Sequence, residues 1–82
     1  MHKFRFVVES INGTLFDNLV DKIIISTDNG EITVLKNHIP LITTITRGRL
    51  IIDNNNKYEI ANGVLKVNRE ETILMINNVL KK

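Results

Sequence analysis

Short segments of alternating or β-branched apolar residues recur along the whole chain. In residues 3–9, Phe4, Phe6 and Val8 lie on one side of an extended backbone, because successive side chains point to opposite faces of a strand. The pattern resumes briefly at Leu15-Phe16. Further segments rich in Ile, Val, Leu and Thr follow at 19–27, 32–35, 41–46, 50–52, 57–61, 64–67 and 72–76. We therefore predict an all-β fold of roughly nine or ten short strands, a pattern typical of a sandwich or a barrel.

Asn, Asp and Gly mark the predicted turns between these segments. Asn-Gly is the strongest sequence signal for a two-residue hairpin turn. Pro40 favours an extended backbone at Ile39, within a loop over residues 36–40. No window favours an amphipathic helix over a strand. The turns are predicted at Asn12-Gly13, Asp28-Asn29-Gly30, Arg47-Gly48, Asp53–Asn56, Asn62-Gly63 and Asn68–Glu71.

The composition limits both the size of the core and the available chemistry. The 82 residues are enough for one small domain, so we expect a single β-sandwich or barrel over residues 1–82. Aromatic residues are only 5 % of the chain, so aliphatic side chains must fill the core. The absence of Cys excludes disulfides and thiolate metal sites.

Charge and hydropathy argue against nucleic acid and the bilayer interior as partners. The net charge is +2, and the two C-terminal lysines account for that excess, which is too small to mark a nucleic-acid surface. No apolar run approaches the ~20 residues that a membrane-spanning helix needs. We expect no nucleic-acid partner and no insertion into the membrane.

The titratable residues do not assemble into a convincing active site. A set of Ser26, Asp28 and His38 can be combined on paper, but a chain of this size has little room for a catalytic cleft. Glu31 is the acid nearest to His38 in sequence, and the two do not have a metal-ligand spacing. The four glycines all follow turn signals rather than a phosphate-binding pattern. We expect no catalytic, metal or cofactor-binding residues.

The most specific motif combines the internal histidine with the only proline. It reads His38-Ile39-Pro40-Leu41 and follows Gly30-Glu31-Ile32, with Arg47-Gly48 at its end. This order of residues resembles the epsilon subunit of F-type ATP synthases. The lead-in from Leu15-Phe16 to Val20–Ile23, and the later segments Gly63–Val67 and Thr72–Leu74, resemble the same family.

The resemblance implies a ten-stranded β-sandwich that serves as a non-catalytic part of the rotor. In that family, the domain grips the gamma subunit of the central stalk, rests on the membrane ring and meets the alpha/beta catalytic hexamer only indirectly. The implied location is cytoplasmic and peripheral to the cell membrane, within a larger complex. The implied role is to couple rotation in an F-type or F-type-like rotary ATPase.

The resemblance also implies two contact surfaces. A ring-facing surface would contain Asp28, Asn29, Gly30, Glu31, Lys36, Asn37 and His38. A gamma-facing surface would contain Ile39, Pro40, Leu41, Ile42 and Thr43.

The chain departs from the family pattern in several places. Thr33 stands where the family has Gly, Arg47 where it has Pro, and Ile39 where it has Ala. Family members usually continue into a C-terminal helical hairpin that restrains ATP hydrolysis and can bind ATP. The sequence ends before this segment, either as a truncated form or as a naturally short one, and we expect no ATP site and no inhibition of the hairpin type within it.

Three other interpretations remain open from the sequence. The abundant Ile, Asn and Lys suggest an AT-rich genome, which is compatible with a mycoplasma-like motor that hydrolyses ATP without a typical proton channel. Residues 46–51 loosely resemble a motif of small Sm-like RNA-binding barrels, but those proteins begin with a helix, where residues 3–9 predict a strand. The third is an unrelated β-sandwich binding module.

Overall fold

The described part of the chain consists of strands, turns and loops. The computed structural model describes the backbone of residues 2–81 and the side chains of residues 2–77. Across that range no helix is present, and none could therefore be long and apolar enough to cross a membrane. The all-β prediction is confirmed. The strands are β1 (Phe4–Ser10), β2 (Gly13–Val20), β3 (Ile23–Thr27), β4 (Gly30–Val34), β5 (Leu41–Ile52), β6 (Asn56–Val67) and β7 (Glu71–Lys81).

The seven strands form one continuous sheet that closes over its own core. Their order is β2-β1-β7-β6-β5-β3-β4, and every pairing is antiparallel except the parallel pair of β1 and β7. One cluster of buried side chains includes residues from all seven strands, so the two halves of the sheet pack face to face as a sandwich. Its members are Phe4, Phe6, Val8, Val20, Ile23, Ile25, Val34, Ile45, Leu50, Ile52, Ile60, Leu65, Val67, Leu74 and Ile76.

The two longest strands change the face that they present to the core. In β5, Thr43 and Ile45 are buried at odd positions, whereas Leu50 and Ile52 are buried at even positions. The same change occurs in the partner strand β6, where the inward positions are odd at its C-terminal end and even near Ile60. The register of the two strands is the same on both sides of this change, and only the facing residues Thr46 and Asn62 are not paired.

This change of face explains why the predicted strand count differs from the structure. Each half of β5 and β6 has its own alternation, so each strand looks like two in the sequence, and we predicted nine or ten where the described residues form seven. The predicted turns at Arg47-Gly48 and Asn62-Gly63 are wrong, because both pairs lie inside strands. Asn62 nevertheless has a left-handed backbone, with φ of 57°, at the point where the pairing breaks.

Gly48 and Gly63 allow close approach between strands rather than turns. A Cβ atom on Gly63 would lie 2.8 Å from Cγ2 of Ile76 and 2.9 Å from the carbonyl oxygen of Met75. A Cβ atom on Gly48 would lie 2.7 Å from Cβ of Ser26. Only glycine fits at these two positions without displacement of a neighbouring strand.

The other predicted hairpin turns are confirmed. The β1–β2 turn ends at Gly13 and the β3–β4 turn ends at Gly30, and both glycines have positive φ angles that suit a residue without a Cβ atom. The β5–β6 turn over residues 53–55 begins with two left-handed residues, Asp53 and Asn54. The predicted turn near residues 68–71 joins β6 to β7.

The predicted strand over residues 19–27 is in fact two strands. Val20 ends β2 and Ile23 begins β3, and between them the chain passes from the edge strand beside β1 to the part of the sheet that contains β4 and β5. Oδ1 of Asp53 accepts hydrogen bonds from both of these amides, at 2.8 and 2.9 Å. The carboxylate of a distant turn therefore satisfies the backbone at this break, and a local apolar pattern cannot reveal such a contact.

Candidate partner-binding surfaces

The first predicted contact region is the β3–β4 tip, which we define as residues 28–31. Its first residue is held against β5: the Asp28 amide donates to the Thr44 carbonyl oxygen at 3.0 Å. The Asp28 carboxylate accepts from the Thr46 amide at 2.9 Å and from the hydroxyl groups of Thr44 and Thr46 at 2.7 and 3.1 Å. These hydrogen bonds, that from Thr44 foremost, hold the pKa of Asp28 below its ordinary value.

The rest of the tip combines one further anchor with exposed polar groups. Nδ2 of Asn29 donates to the Thr43 hydroxyl at 3.0 Å, which places a second bond between the tip and β5. Gly30 and Glu31 are exposed, and Glu31 faces Ser26 in the register of the hairpin. The tip therefore holds exposed polar side chains, among them the Asn29 amide and the Glu31 carboxylate, at a fixed place beside β5.

Lys36, Asn37 and His38 lie in the loop between β4 and β5. Asn37 has a left-handed backbone, with φ of 65°, and its amide donates to the Arg69 carbonyl oxygen at 2.9 Å. The His38 amide donates to the Leu35 carbonyl oxygen at 3.2 Å, and Nδ1 of His38 lies 2.7 Å from the Ile39 carbonyl oxygen. Backbone contacts within the loop and with the β6–β7 turn therefore fix its shape.

Two members of the hypothetical catalytic set of Ser26, Asp28 and His38 make separate contacts. Nδ1 of His38 lies against the backbone of its own loop, and the Asp28 carboxylate is occupied by Thr44 and Thr46. Among the residues that the structure describes, no group of three or more His, Cys, Asp and Glu side chains has the arrangement of a metal site.

The predicted gamma-facing residues divide into exposed and buried positions. Ile39 is 76 % exposed and Ile42 is 70 % exposed, and Pro40 is also exposed. Leu41 is only partly exposed and packs against the core, whereas Thr43 is buried and bonded to Asn29. The loop before β5 thus exposes Ile39 and Pro40, and alternation along β5 exposes Ile42, so these three members of the set are open to a partner.

Sequence reasoning missed two apolar residues on the outer face beside Ile42. Val64 and Met75 face each other directly across β6 and β7, and they are 36 % and 48 % exposed. Ile42 lies diagonally across from Val64, because Ile42 pairs with Lys66 in the register of β5 and β6. We call these three residues the outer strip. One feature of the sequence could have indicated these exposed apolar residues: segments 63–67 and 72–76 carry apolar residues at both odd and even positions, so some of them must lie on the outer face.

An ion-pair network joins β1 to both of its neighbouring strands. Nε and Nη2 of Arg5 in β1 donate to the two carboxylate oxygens of Asp17 in β2, at 2.9 and 2.8 Å. Nη1 of Arg5 lies 3.8 Å from Glu71 in β7, so one guanidinium bridges three neighbouring strands. The hydrogen bond from Arg5 holds the pKa of Asp17 below its ordinary value.

The family of the chain follows from its sequence together with this fold. Residues 3–82 match the family described as ATP synthase, Delta/Epsilon chain, beta-sandwich domain. The chain belongs to this family. The resemblance inferred from the His38–Leu41 motif is therefore confirmed, and the interpretation as an Sm-like RNA-binding barrel is set aside.

ATP synthase epsilon chains of chloroplasts and of other organisms are about one third identical to this chain in sequence. The chain is 34 % identical over 74 residues to the chloroplastic ATP synthase epsilon chain of Pinus koraiensis. The matched segment covers 87 % of this chain and 54 % of the relative. It is 32 % identical over 82 residues to the ATP synthase epsilon chain of Sulfurihydrogenibium sp., which covers 95 % of this chain and 61 % of the relative. The chain thus spans somewhat more than half the length of these relatives.

Solved structures share the fold at much lower sequence identity. A chain in the central stalk and c-ring structure of the Tetrahymena thermophila mitochondrial ATP synthase superposes with a TM-score of 0.80 at 11 % identity, over 98 % of this chain and 67 % of that one. A chain of the Euglena gracilis mitochondrial ATP synthase gives 0.78 at 16 % identity, over 96 % of this chain and 53 % of that one. The β-sandwich prediction is confirmed by both superpositions.

Proposed function

We propose that this β-sandwich is a rotor part of the central stalk in an F-type or F-type-like rotary ATPase. In this proposal it binds the gamma subunit, rests on the polar loops of the membrane ring and helps to couple their rotation. It has no active site of its own and meets the catalytic hexamer only indirectly, on the cytoplasmic side of the cell membrane. Support comes from the family match over residues 3–82 and from the fold shared with a chain of a central-stalk structure.

The outer strip is the observation that carries the gamma contact. Ile42, Val64 and Met75 place exposed apolar side chains side by side on three hydrogen-bonded strands. A rigid sheet face with adjacent apolar residues and a polar rim is typical of a protein-binding surface. Lys66, which pairs with Ile42, and Glu9, which pairs with Met75, supply that rim.

The β3–β4 tip is the corresponding candidate for the ring contact. Its exposed groups are polar, and the exposed Lys36 and Asn37 belong to the other loop of the predicted ring-facing set. Polar groups that are held by hydrogen bonds lose little conformational freedom when they bind a polar partner. These features suit a contact with hydrophilic loops better than a contact with an apolar helix.

The test is binding to a purified gamma subunit encoded in the same genome. We expect Ile42→Glu to weaken binding at least tenfold, because binding would bury a carboxylate against apolar surface. The substitution is compatible with the fold, since position 42 is 70 % exposed and faces Lys66 across the strand pair. Titration calorimetry at moderate salt gives the affinity, and thermal melting confirms that the variant is folded.

Leu15→Glu is the matched control, because Leu15 is also an exposed apolar residue but lies on the edge strand β2. It should bind gamma as the unmodified chain does. Equal affinities for the Ile42→Glu and Leu15→Glu variants would reject the outer strip as the gamma surface. Co-purification of RNA in place of gamma, lost at high salt, would reject the proposed function as a whole.

A further inference from the structure

Two hairpin turns in the chain have the same internal hydrogen bonds. In the β1–β2 turn, the Ser10 hydroxyl donates to the Gly13 carbonyl oxygen and accepts from the Asn12 amide, at 3.3 and 3.2 Å. In the β3–β4 turn, the Thr27 hydroxyl donates to the Gly30 carbonyl oxygen and accepts from the Asn29 amide, at 2.7 and 3.1 Å. This internal pattern is therefore sufficient to form a tight hairpin turn in this fold.

Among the described residues, only the second of these turns is also bonded to another strand. Beyond its internal pattern, the β3–β4 tip has five hydrogen bonds to β5, four of them through Asp28 and one through the Asn29 side chain. The additional bonds are not needed to close the turn, because the β1–β2 turn closes without a counterpart to them. They fix where the tip lies relative to β5.

Asp28 forms hydrogen bonds with β5 on the side of that strand where the pairing with β3 has ended. Regular pairing of β3 with β5 ends at Ile25 and Leu50, so the β5 backbone near Thr44 and Thr46 has no strand on that side. The Asp28 amide supplies a donor to Thr44, and the carboxylate supplies an acceptor to Thr46 as a backbone carbonyl group would. The tip thereby continues the hydrogen bonding of the sheet past the place where β5 changes its inward face.

We propose that Asp28 is a positioning residue that joins the ring-facing tip to the gamma-facing strand, so that the two contact surfaces move as one body. This inference rests on the proposed function for the identity of the two partners. Asn29–Glu31 of the tip belong to the predicted ring surface, and Ile42 of the outer strip lies on β5 two residues before Thr44. A force on the tip is then passed directly into β5 through bonds of 2.7 to 3.1 Å.

The first experiment measures the bond itself and needs no partner. Amide hydrogen exchange followed by NMR on the 82-residue chain should show slow exchange at Thr46, whose amide is bonded to Asp28. In Asp28→Ala this rate should rise at least tenfold, whereas the amides of the core residues Leu65 and Leu74 keep their rates. Asp28→Asn retains a side-chain oxygen acceptor and should restore most of the protection.

Asp17→Ala is the matched control, because Asp17 is also an exposed, hydrogen-bonded carboxylate but lies on β2. It should leave exchange at Thr46 unchanged. Fast exchange at Thr46 in the unmodified chain, or the same rate in Asp28→Ala, would overturn the inference. A uniform rise at Thr46, Leu65 and Leu74 would also overturn it, since Asp28 would then act on global stability alone.

The second experiment measures the consequence for the two surfaces. With gamma bound, Asp28→Ala should weaken binding to the purified membrane ring about tenfold. Because Asp28 itself belongs to the predicted ring-facing set, Thr46→Val is tested beside it: this variant keeps the Asp28 carboxylate, removes one of its hydroxyl donors and should weaken ring binding in the same direction while the affinity for gamma alone is unchanged. Faster exchange at Thr46 without any loss of ring binding would overturn the coupling of the two surfaces. Failure of the unmodified chain to bind gamma would instead reject the proposed function, while the exchange result would still decide whether Asp28 holds the tip.

Discussion

Two buried threonines illustrate how differently the same residue is used in this core. Thr43 is 7 % exposed, and its hydroxyl accepts a hydrogen bond from Asn29. Thr72 is fully buried, and its hydroxyl has no hydrogen-bond partner among the described residues. A buried hydroxyl group without a partner costs free energy, because it has lost its bonds to water without replacement. The sequence alone does not distinguish the two positions.

We expect Thr72→Val to stabilise the domain. Val has nearly the shape of Thr and removes the unpartnered hydroxyl group, so the free energy of unfolding should rise by about 1 kcal/mol. Thr43→Val is the control, and it should lower stability because the Asn29 amide loses its acceptor. Urea denaturation of both variants tests this. A loss of stability in Thr72→Val equal to that in Thr43→Val would contradict the expectation.

At the scale of the elements, the change of inward face in β5 and β6 determines which of their residues fill the core. Both strands change their inward face at Thr46 and Asn62, and close approach of neighbouring strands is made possible by Gly48 and Gly63 on either side. Because a shift of one residue moves an entire apolar set to the other face of a strand, this change must be shared by both partners. The paired register of β5 and β6 meets that requirement.

Gly63→Ala should destabilise the domain through this close approach. The new methyl group would lie within 3 Å of Cγ2 of Ile76 and of the Met75 carbonyl oxygen, so β7 must shift. Overpacking of this kind costs about 1–3 kcal/mol. Lys66→Ala, on the exposed face of the same strand, should cost less than about 0.5 kcal/mol. Chemical denaturation of both variants tests this. If Gly63→Ala were as stable as Lys66→Ala, position 63 would accommodate a Cβ atom without a shift of β7.

At the scale of the whole molecule, two exposed carboxylates connect neighbouring parts of the sheet through hydrogen bonds. Asp17 joins β2 to β1 through Arg5, and Asp28 joins the β3–β4 tip to β5. The pKa of each is held below its ordinary value by these hydrogen bonds. Their ionised forms are favoured in the folded protein more than in the unfolded chain. Stability from this source is therefore present at neutral pH and disappears in acid.

We expect the unfolding free energy to fall as the pH drops below about 4, the ordinary pKa of an unfolded Asp. The contribution is complete above that value and is lost as the pH falls through the lower native pKa values of Asp17 and Asp28. The double variant Asp17→Asn, Asp28→Asn should show a shallower decline. Urea midpoints between pH 2.5 and 7 measure this, and identical slopes for the two proteins would contradict the assignment.

The all-β class, four of the hairpin turns and the family could be predicted from the sequence alone. Period-two alternation, Asn and Asp beside Gly, and the motif His38–Leu41 act over a few neighbouring residues, so they can be read locally. Of the candidate contact residues, the tip residues were predicted at a turn, and the structure confirms that turn.

The continuity of the strands and the exposure of the candidate contact residues could be seen only in the folded structure. Gly48 and Gly63 look like turn residues until Ser26 and Ile76 are seen beside them. Asp28 looks like a turn residue until it is seen to bond a strand sixteen residues away. Thr43 turns inward, whereas Val64 and Met75 turn outward beside Ile42. The physical reason is that these contacts join residues far apart in the chain. In addition, the change of inward face in β5 and β6 shifts the alternation of apolar and polar residues from odd to even positions, so a local pattern cannot be followed across it.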